Sequence, residues 1–212
     1  MKMDAKARKI FRKLPLKIKN YFQEIAEECD EYGITFRVSG GKRINFGGGR
    51  CGGYFCESTK QLAIAIDRPI NMMLGTLIHE ESHFDQWKDL DSIWYKPQME
   101  ASADRFFNWL SGSLENNNPE KDAKKIIELE ADCERRTIKK IKKRWSELIS
   151  VDEYAKAANA YMFSYLWMAR SRKWIGDFTS KEKYIKQFPS KMKKKYDKLP
   201  TKFVPLFEEH SK

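Results

Sequence analysis

The chain has 212 residues, of which 41% are hydrophobic and 13% aromatic, a composition that excludes an intrinsically disordered protein. No apolar run reaches the roughly 18 residues that a membrane-spanning helix needs, which excludes a helical membrane protein and predicts no membrane partner. The formal net charge of +11 at pH 7 is compatible with a polyanionic partner and equally with a solvated, charged surface.

The cellular compartment is predicted from the N-terminus and the cysteines. The first residues lack the apolar stretch of a secretory signal, so we expect a cytoplasmic protein. In the cytoplasm, cysteine side chains are expected to be thiols and not disulfides. The cysteines are Cys29, Cys51, Cys56 and Cys133.

The positive charge is concentrated near the two ends of the chain. From Lys2 to Lys19 there are eight Lys or Arg and one acid, and from Lys181 to Lys202 there are nine Lys and two acids, so each segment carries +7. Such segments can bind nucleic acid. No known nucleic-acid motif accompanies them, so a solvated surface is the favoured interpretation and nucleic-acid binding the alternative.

The first third of the chain predicts helices followed by a small sheet. Apolar spacing predicts a short helix from residue 5 and, after Pro15, a longer helix that ends near Glu31 and is closed by Gly33. The glycine-rich residues 46–53 are interpreted as a loop that enters a strand. The predicted strands cover residues 34–38, 43–46, 54–56 and 61–66, and the last two form a hairpin.

A third helix is predicted from about Pro69 to Lys88, with Asp67 as its cap. This helix contains His79-Glu80-x-x-His83. Residues four apart lie one turn apart on the same face of a helix, so both imidazoles can bind one metal ion. Zinc metallopeptidases use this arrangement, with the glutamate as general base.

Helical phase separates the histidines from the apolar side of this helix. Leu74, Leu77, Ile78 and Phe84 are predicted on one side, and His79 and His83 on the other, where a cleft is expected. Glu81 contradicts the pattern, because its carboxylate is predicted on the apolar side.

The second half of the chain predicts mainly helices. A helix is expected over residues 97–110, then a linker, and then long helices over residues 120–148 and 151–175. The predicted buried face of the helix over residues 97–110 comprises Ala103, Phe106, Phe107 and Leu110. Beyond Gly176 the chain is basic and rich in proline, which limits helix length.

A catalytic zinc needs three protein ligands, and the chain has only three histidines. The third, His210, lies in a C-terminal segment predicted to be poorly ordered, so we expect a carboxylate ligand. Glu130 and Glu134 fall on the apolar face of the helix over residues 120–148, where a carboxylate is costly unless it binds a metal or a partner. Glu130 is the predicted ligand, with Glu134 as an acceptor for a ligand histidine.

Two further pairs of acids are alternative sources of the third ligand. Glu128 and Asp132 fall on the polar side of the same helix. Glu100 and Asp104 lie at the edge of the apolar stripe of the preceding helix and are the weaker choice.

The His-Glu-x-x-His motif, followed by a helix that bears Glu130, resembles the gluzincin branch of the zincin metallopeptidases. The order of elements is similar as well. Small metallopeptidases of phages and mobile elements, and ImmA/IrrE-type proteases, are closest in size and compartment, and the resemblance covers roughly residues 20–170. Thermolysin-like and HtpX-like enzymes carry Glu-x-x-x-Asp on the second helix. Glu128 and Asp132 match that pattern literally, so the third ligand is open between Glu130 and Glu128.

The resemblance implies an α+β fold, a mostly helical zincin-like domain with a small antiparallel sheet, a His-Glu-x-x-His helix and a glutamate-bearing helix. We expect this domain to span residues 1–175 and to be followed by a basic C-terminal extension over residues 176–212.

The predicted activity is zinc-dependent hydrolysis of peptide bonds. Zn²⁺ bound by His79, His83 and Glu130 would polarise a water, and Glu80 would take its proton. A tyrosine is expected to stabilise the oxyanion, Tyr161 first, with Tyr165 and Tyr95 as alternatives. The predicted partner is a protein or peptide substrate, which would add to a strand of the hairpin over residues 54–66.

A binding protein is the alternative to a peptidase. In that case the basic ends contact nucleic acid, and the zinc site is structural or relict.

Overall fold

The first of two units of the chain, residues 1–89, combines six short strands with three helices. The computed structural model describes residues 1–47, 49–176 and 178–211, and these residues form the units 1–89 and 90–212. The elements of the first unit are β1 (Lys2–Met3), α1 (Ala5–Arg12), α2 (Leu16–Glu31), β2 (Thr35–Ser39), β3 (Ile44–Phe46), β4 (Gly49–Cys51), β5 (Gly53–Cys56), β6 (Gln61–Ala65) and α3 (Ile70–Lys88).

The main sheet has four strands in the order β1-β2-β6-β5. β1 and β2 are parallel, as are β2 and β6, whereas β5 and β6 form the predicted antiparallel hairpin. The expected small antiparallel sheet is therefore wrong in its topology, because the sheet is mixed. The chain leaves β2, runs through the β3–β4 ribbon and returns along β5. β6 therefore lies between β2 and β5 and runs parallel to β2.

Side-chain alternation gives this sheet one apolar and one open face. Phe36, Leu62 and Phe55 form a row across three strands and pack against the helices. The ring of Phe36 lies 5.8 Å from that of Phe22 on α2, and the ring of Phe55 lies 5.5 Å from that of Phe84 on α3. The core of the unit thus lies between the sheet and these two helices.

Most helix ends in this unit follow the local signals, with one exception. Asp4 caps α1 by accepting a hydrogen bond from the Ala7 N–H at 2.7 Å, and Gly33, with φ +67°, follows the end of α2. The predicted cap at Asp67 is wrong. α3 begins at Ile70 after Pro69, and Asp67 forms an ion pair with Lys6 at 2.8 Å instead.

The second unit, residues 90–212, contains three long and two short helices in its described part. They are α4 (Met99–Leu110), α5 (Pro119–Lys140), α6 (Val151–Ser171), α7 (Glu182–Ile185) and α8 (Val204–His210). The described helices and the sheet of the first unit together confirm the α+β class. None of these helices, in the ranges given above, is long and apolar enough to cross a membrane.

Two helical predictions in this unit are corrected by packing. α6 ends at Ser171 and not at residue 175, because Arg172 takes a left-handed conformation with φ +53° and donates to the Trp109 carbonyl oxygen at 3.0 Å. On α4 the buried side includes Ser102 and Trp109 beside Phe106, whereas Phe107 is 38% exposed. The bulk of the Trp109 indole turns the buried face by about one residue.

The C-terminal residues contribute to the core of the second unit, although the sequence predicts a basic extension over residues 176–212. Phe178, Phe188 and Phe207 are each at most 3% exposed and pack with side chains of α5 and α6. His210, predicted to lie in a poorly ordered segment, has Nε2 at 3.0 Å from the Ile175 carbonyl oxygen. In this segment, lysines alternate with aromatic side chains that belong to the core of the second unit.

Candidate metal centre

Helix α3 presents the two motif histidines on one face. The ring centroids of His79 and His83 lie 4.7 Å apart, and the rings are nearly perpendicular, at 89°. His83 is buried and His79 half-buried. Wholly buried apolar side chains, among them Leu74, Leu77 and Phe84, line the helix, which packs against β5 and β6. The helix that carries both imidazoles is thus packed within the core of the unit.

The side chain of Gln86 orients His83. Its Oε1 lies 2.9 Å from Nδ1 of His83, and the glutamine is wholly buried. Because an amide oxygen only accepts hydrogen bonds, Nδ1 carries the proton and Nε2 the lone pair. Metal-binding histidines commonly have such an acceptor on the other ring nitrogen. Helical phase predicts Glu134 as this acceptor, whereas Gln86 lies one turn beyond the histidine on the same helix and takes that position.

The carboxylate of Glu80 is held at the edge of the sheet. Glu80 is 8% exposed, and its Oε2 accepts a hydrogen bond from the Phe55 N–H at 3.0 Å. Phe55 belongs to β5, the last strand in the order of the sheet, and successive N–H groups of a strand point to opposite edges. Glu80 therefore lies at the outer edge of β5, on the side away from β6.

Two glycines in the segment predicted as a loop let β5 approach α3 this closely. A Cβ atom on Gly53 would lie 2.9 Å from the Ala63 carbonyl oxygen and 3.0 Å from Cγ of Glu80. A Cβ on Gly52 would lie 2.1 Å from Nη1 of Arg68, which donates to the Thr76 hydroxyl at 3.0 Å. The glycines thus make room for the glutamate and for a guanidinium group beside the motif helix.

Glu81, the acid that contradicts the apolar pattern of α3, has a hydrogen-bond donor on α2. The Tyr21 hydroxyl donates to its Oε2, and the Tyr21 side chain is 4% exposed. Buried carboxylates are tolerated when they are hydrogen-bonded. Glu81 therefore joins two helices through a polar contact and belongs to the scaffold of the motif.

The acids of α5 divide between two faces, as helical phase predicts. Glu134 is 5% exposed and Glu130 is half-buried. Glu128 is exposed and pairs with Lys125 at 3.2 Å, and Asp132 pairs with Arg136 at 2.9 Å. The burial of Glu134 and the exposure of Glu128 agree with the phase argument, whereas Glu130 and Asp132 are both half-buried. The choice of Glu130 over Glu128 as metal ligand stays a prediction.

Cys133 on α5, and Tyr154 on α6 beside Glu134, are further groups that could take part in metal binding or proton transfer. Cys133 is wholly buried, and the Thr137 hydroxyl donates to its carbonyl oxygen at 3.0 Å. Burial is the largest cause that raises the pKa of Tyr154 well above its ordinary value of 10.0. The charge of Glu134 and a hydrogen bond to the Glu134 carboxylate raise it further. In the sequence Cys133 marks the apolar face of the helix, and its residue type is also a common zinc ligand as the thiolate.

The tyrosine proposed to stabilise the oxyanion lies on α6. The Tyr161 and Tyr165 hydroxyl oxygens are 2.6 Å apart. Burial is the largest cause that raises the pKa of Tyr161 well above its ordinary value of 10.0, and the negative charge of Glu130 is the second. Tyr161 therefore keeps its proton at neutral pH and can act as a donor. Tyr95, the other alternative, is 43% exposed.

The predicted site residues fall into two groups that the structure describes separately. His79, Glu80 and His83 share one helix of the first unit, and Glu130 and Tyr161 interact electrostatically within the second unit. The exposed acids Glu100 and Asp104 have no feature that favours a metal. The functional assignment rests on these residues, because no protein-family model, curated protein or solved structure matches the chain.

Proposed function

We propose that this protein is a zinc-dependent metallopeptidase of the gluzincin type. One observation carries the proposal: Glu80, the candidate general base, accepts the Phe55 N–H at the outer edge of the last strand of the sheet. Extended peptides bind proteins by adding a strand at such an edge. The proton acceptor and the surface that would hold a peptide backbone are thus adjacent within one unit.

The donor set of the motif fits zinc. Imidazole nitrogen, carboxylate oxygen and thiolate are its usual protein ligands, and with Nδ1 on the Gln86 amide oxygen His83 would bind a metal through Nε2. His79 and His83 would supply two ligands, and Glu130 is the predicted third, with Glu128 and the Cys133 thiolate as alternatives. Zinc bound there would supply Lewis acidity toward a water and a peptide carbonyl.

Glu80 moves the proton in the proposed reaction. Its carboxylate takes a proton from the attacking water and delivers it to the nitrogen of the leaving amine. The Phe55 N–H fixes one carboxylate oxygen, so the orientation of the base does not have to be established during the reaction. Tyr161, which stays protonated, is the proposed donor to the oxygen of the tetrahedral species.

A paired measurement of metal content and cleavage tests the proposal. Purified protein is expected to contain about one zinc per chain. The Glu80→Gln variant should keep that zinc and lose activity by about 100-fold or more in a proteome-wide cleavage screen, because an amide cannot accept the proton. Glu31→Gln, an exposed site at the end of α2, is the matched control. Full activity in Glu80→Gln would exclude the mechanism.

The ligands are tested by zinc content alone. His79→Ala and His83→Ala are each expected to abolish zinc binding. Among Glu130→Ala, Glu128→Ala and Cys133→Ala, only the first should do so if Glu130 is the third ligand. Zinc loss in one of the other two variants, with Glu130→Ala retaining the metal, would reassign the ligand without changing the reaction.

A further inference from the structure

The first unit has a second candidate site, a basic cleft of about 570 Å³. It lies between the face of the sheet opposite the helices and the β3–β4 ribbon. Its walls include Lys2 on β1, Arg37 on β2, Tyr54 on β5, Arg43 just before β3, and Arg50 on β4. A volume of this size is ordinary for small-ligand sites. The peptidase proposal uses none of these side chains.

The cleft has a strong positive charge. Its lining contains four basic side chains and one acid, Asp4. Both carboxylate oxygens of Asp4 accept backbone hydrogen bonds, from Ala7 at 2.7 Å and from Gly40 at 2.9 Å, so this acid caps a helix and does not neutralise an arginine. Low-dielectric walls lined by one sign of charge concentrate the field within a cleft. An anion is therefore the expected ligand.

The register of the sheet arranges part of this lining in a line. Lys2 pairs with Arg37, Arg37 with Ala63, and Ala63 with Tyr54. These residues point to the same face, and three strand spacings make the row about 14 Å long. Ala63, between Arg37 and Tyr54, is 3% exposed, and Gln61 Oε1 accepts hydrogen bonds from both Arg37 Nη1 at 3.3 Å and the Tyr54 hydroxyl at 2.9 Å. The row thus has a cationic end, Lys2 and Arg37, and an aromatic end, Tyr54.

An aromatic surface adjoins the basic row. The Phe46 and Tyr54 rings stack with centroids 4.1 Å apart and planes at 15°, and the Tyr54 hydroxyl donates to Gln61 Oε1 at 2.9 Å. Phe46 is 41% exposed, so the face of its ring that points away from Tyr54 is accessible. Its outer surface can take a further flat ring on a stack that is already ordered.

We propose that this cleft binds single-stranded nucleic acid. Arg37, Arg43 and Arg50 contact consecutive phosphates, and a base stacks on Phe46. A positive groove that follows the backbone, beside an aromatic ring that accepts any base, is the general solution for binding single strands. An acidic peptide would match the charge but would leave the stacked rings without a role.

Fluorescence anisotropy with a short labelled oligothymidylate tests the site. The triple variant Arg37→Gln/Arg43→Gln/Arg50→Gln should bind at least about tenfold more weakly, and the slope of log affinity against log salt should fall by about 2. All three arginines are exposed, so the fold is expected to be unchanged. The control Lys139→Gln/Lys142→Gln/Lys143→Gln removes the same charge from exposed positions of the second unit and should bind within about twofold of the wild type.

A stacking variant and two competitors complete the experiment. Phe46→Leu should weaken binding about fivefold or more at unchanged salt slope, because base stacking is lost and phosphate contacts remain. Equal loss in both triple variants would overturn the site. Equal competition by polyglutamate would overturn the ligand class in favour of an acidic peptide. Equal competition by duplex DNA would overturn the single-strand preference. Glu80→Gln should bind as wild type, which keeps this result independent of the peptidase proposal.

Discussion

At the scale of single residues, the chemistry of α3 depends on neighbours that hold the motif side chains in place. Gln86 sets the tautomer of His83 by accepting its Nδ1–H, and the Phe55 N–H orients the Glu80 carboxylate. Tyr21 binds Glu81, the adjacent acid. Two neighbouring glutamates thus have different roles, because one faces the sheet edge and the other faces α2.

Replacing Gln86 tests whether it supports the proposed zinc binding by His83. Gln86→Leu removes the acceptor while keeping the buried volume, and zinc affinity is expected to fall about 10- to 100-fold. Gln86→Glu retains an acceptor oxygen and should recover most of the affinity. Competition with a chromophoric chelator measures both values. Equal affinities for the leucine variant and the wild type would show that Gln86 has no part in binding.

At the scale of elements, the site depends on how closely β5 approaches α3. The approach requires glycine at position 53, where a Cβ would lie 3.0 Å from both Cγ of Glu80 and Cγ2 of Thr76. The glycine-rich segment before Tyr54 is predicted as a loop, yet it forms β4 and the start of β5. Its glycines therefore serve close packing as well as turning.

Gly53→Ala is expected to separate the strand from the helix. Overpacking of this kind costs about 1–3 kcal/mol, and urea unfolding of the variant should show a loss in that range. The proposed peptidase activity should fall as well, because the Phe55 N–H moves away from Glu80. Gly49→Ala is the control, since its Cβ would lie 3.6 Å from the nearest atom, an ordinary contact. Similar stability of both variants would contradict the packing argument.

The contact between α4 and α5 predicts a pH dependence of stability. Burial raises the pKa of Asp122, but hydrogen bonds from Arg105 and Asn116 outweigh it, so the pKa lies below its ordinary value of 3.8. A carboxyl group with a lowered pKa stabilises the fold above its ordinary pKa and loses that contribution as the pH falls through the lowered value.

Asp122→Asn should therefore destabilise the protein by about 1–2 kcal/mol at neutral pH, a value that allows for the exposure of Arg105. The difference from wild type should shrink as the pH falls below 3.8, the ordinary pKa of the group. Urea unfolding over a pH series measures it. Glu128→Gln, which breaks an exposed pair with Lys125, should show little effect at any pH.

At the scale of the whole molecule, the second unit has a core that continues almost to the C-terminus. Phe207 is wholly buried, and its ring stacks on Phe178 at 4.4 Å and on Trp167 at 5.9 Å. The basic residues between Lys181 and Lys202 make this segment resemble a tail in composition. Its aromatic side chains are what pack it against α6.

Phe207→Ala should destabilise the protein by about 3–5 kcal/mol, the usual cost of deleting a buried phenylalanine side chain. Leu114→Ala, at a site that is 44% exposed, should change stability by no more than about 0.5 kcal/mol. Chemical denaturation compares the two. A Phe207→Ala variant as stable as the Leu114→Ala variant would mean that the C-terminal segment is not part of the cooperative core.

The sequence by itself determined the existence of α1 to α6, the β5–β6 hairpin and the opposite placement of Glu134 and Glu128 on α5. It placed His79, Glu80 and His83 on one helix and separated Glu130 from Glu128, because helical and strand periodicity are encoded within a few neighbouring residues. The tertiary structure decided the strand order and the roles of Gly53, Gln86 and the C-terminal aromatics. These depend on pairing between distant segments, where β6 enters between β2 and β5, and no local pattern records which edge a strand will occupy.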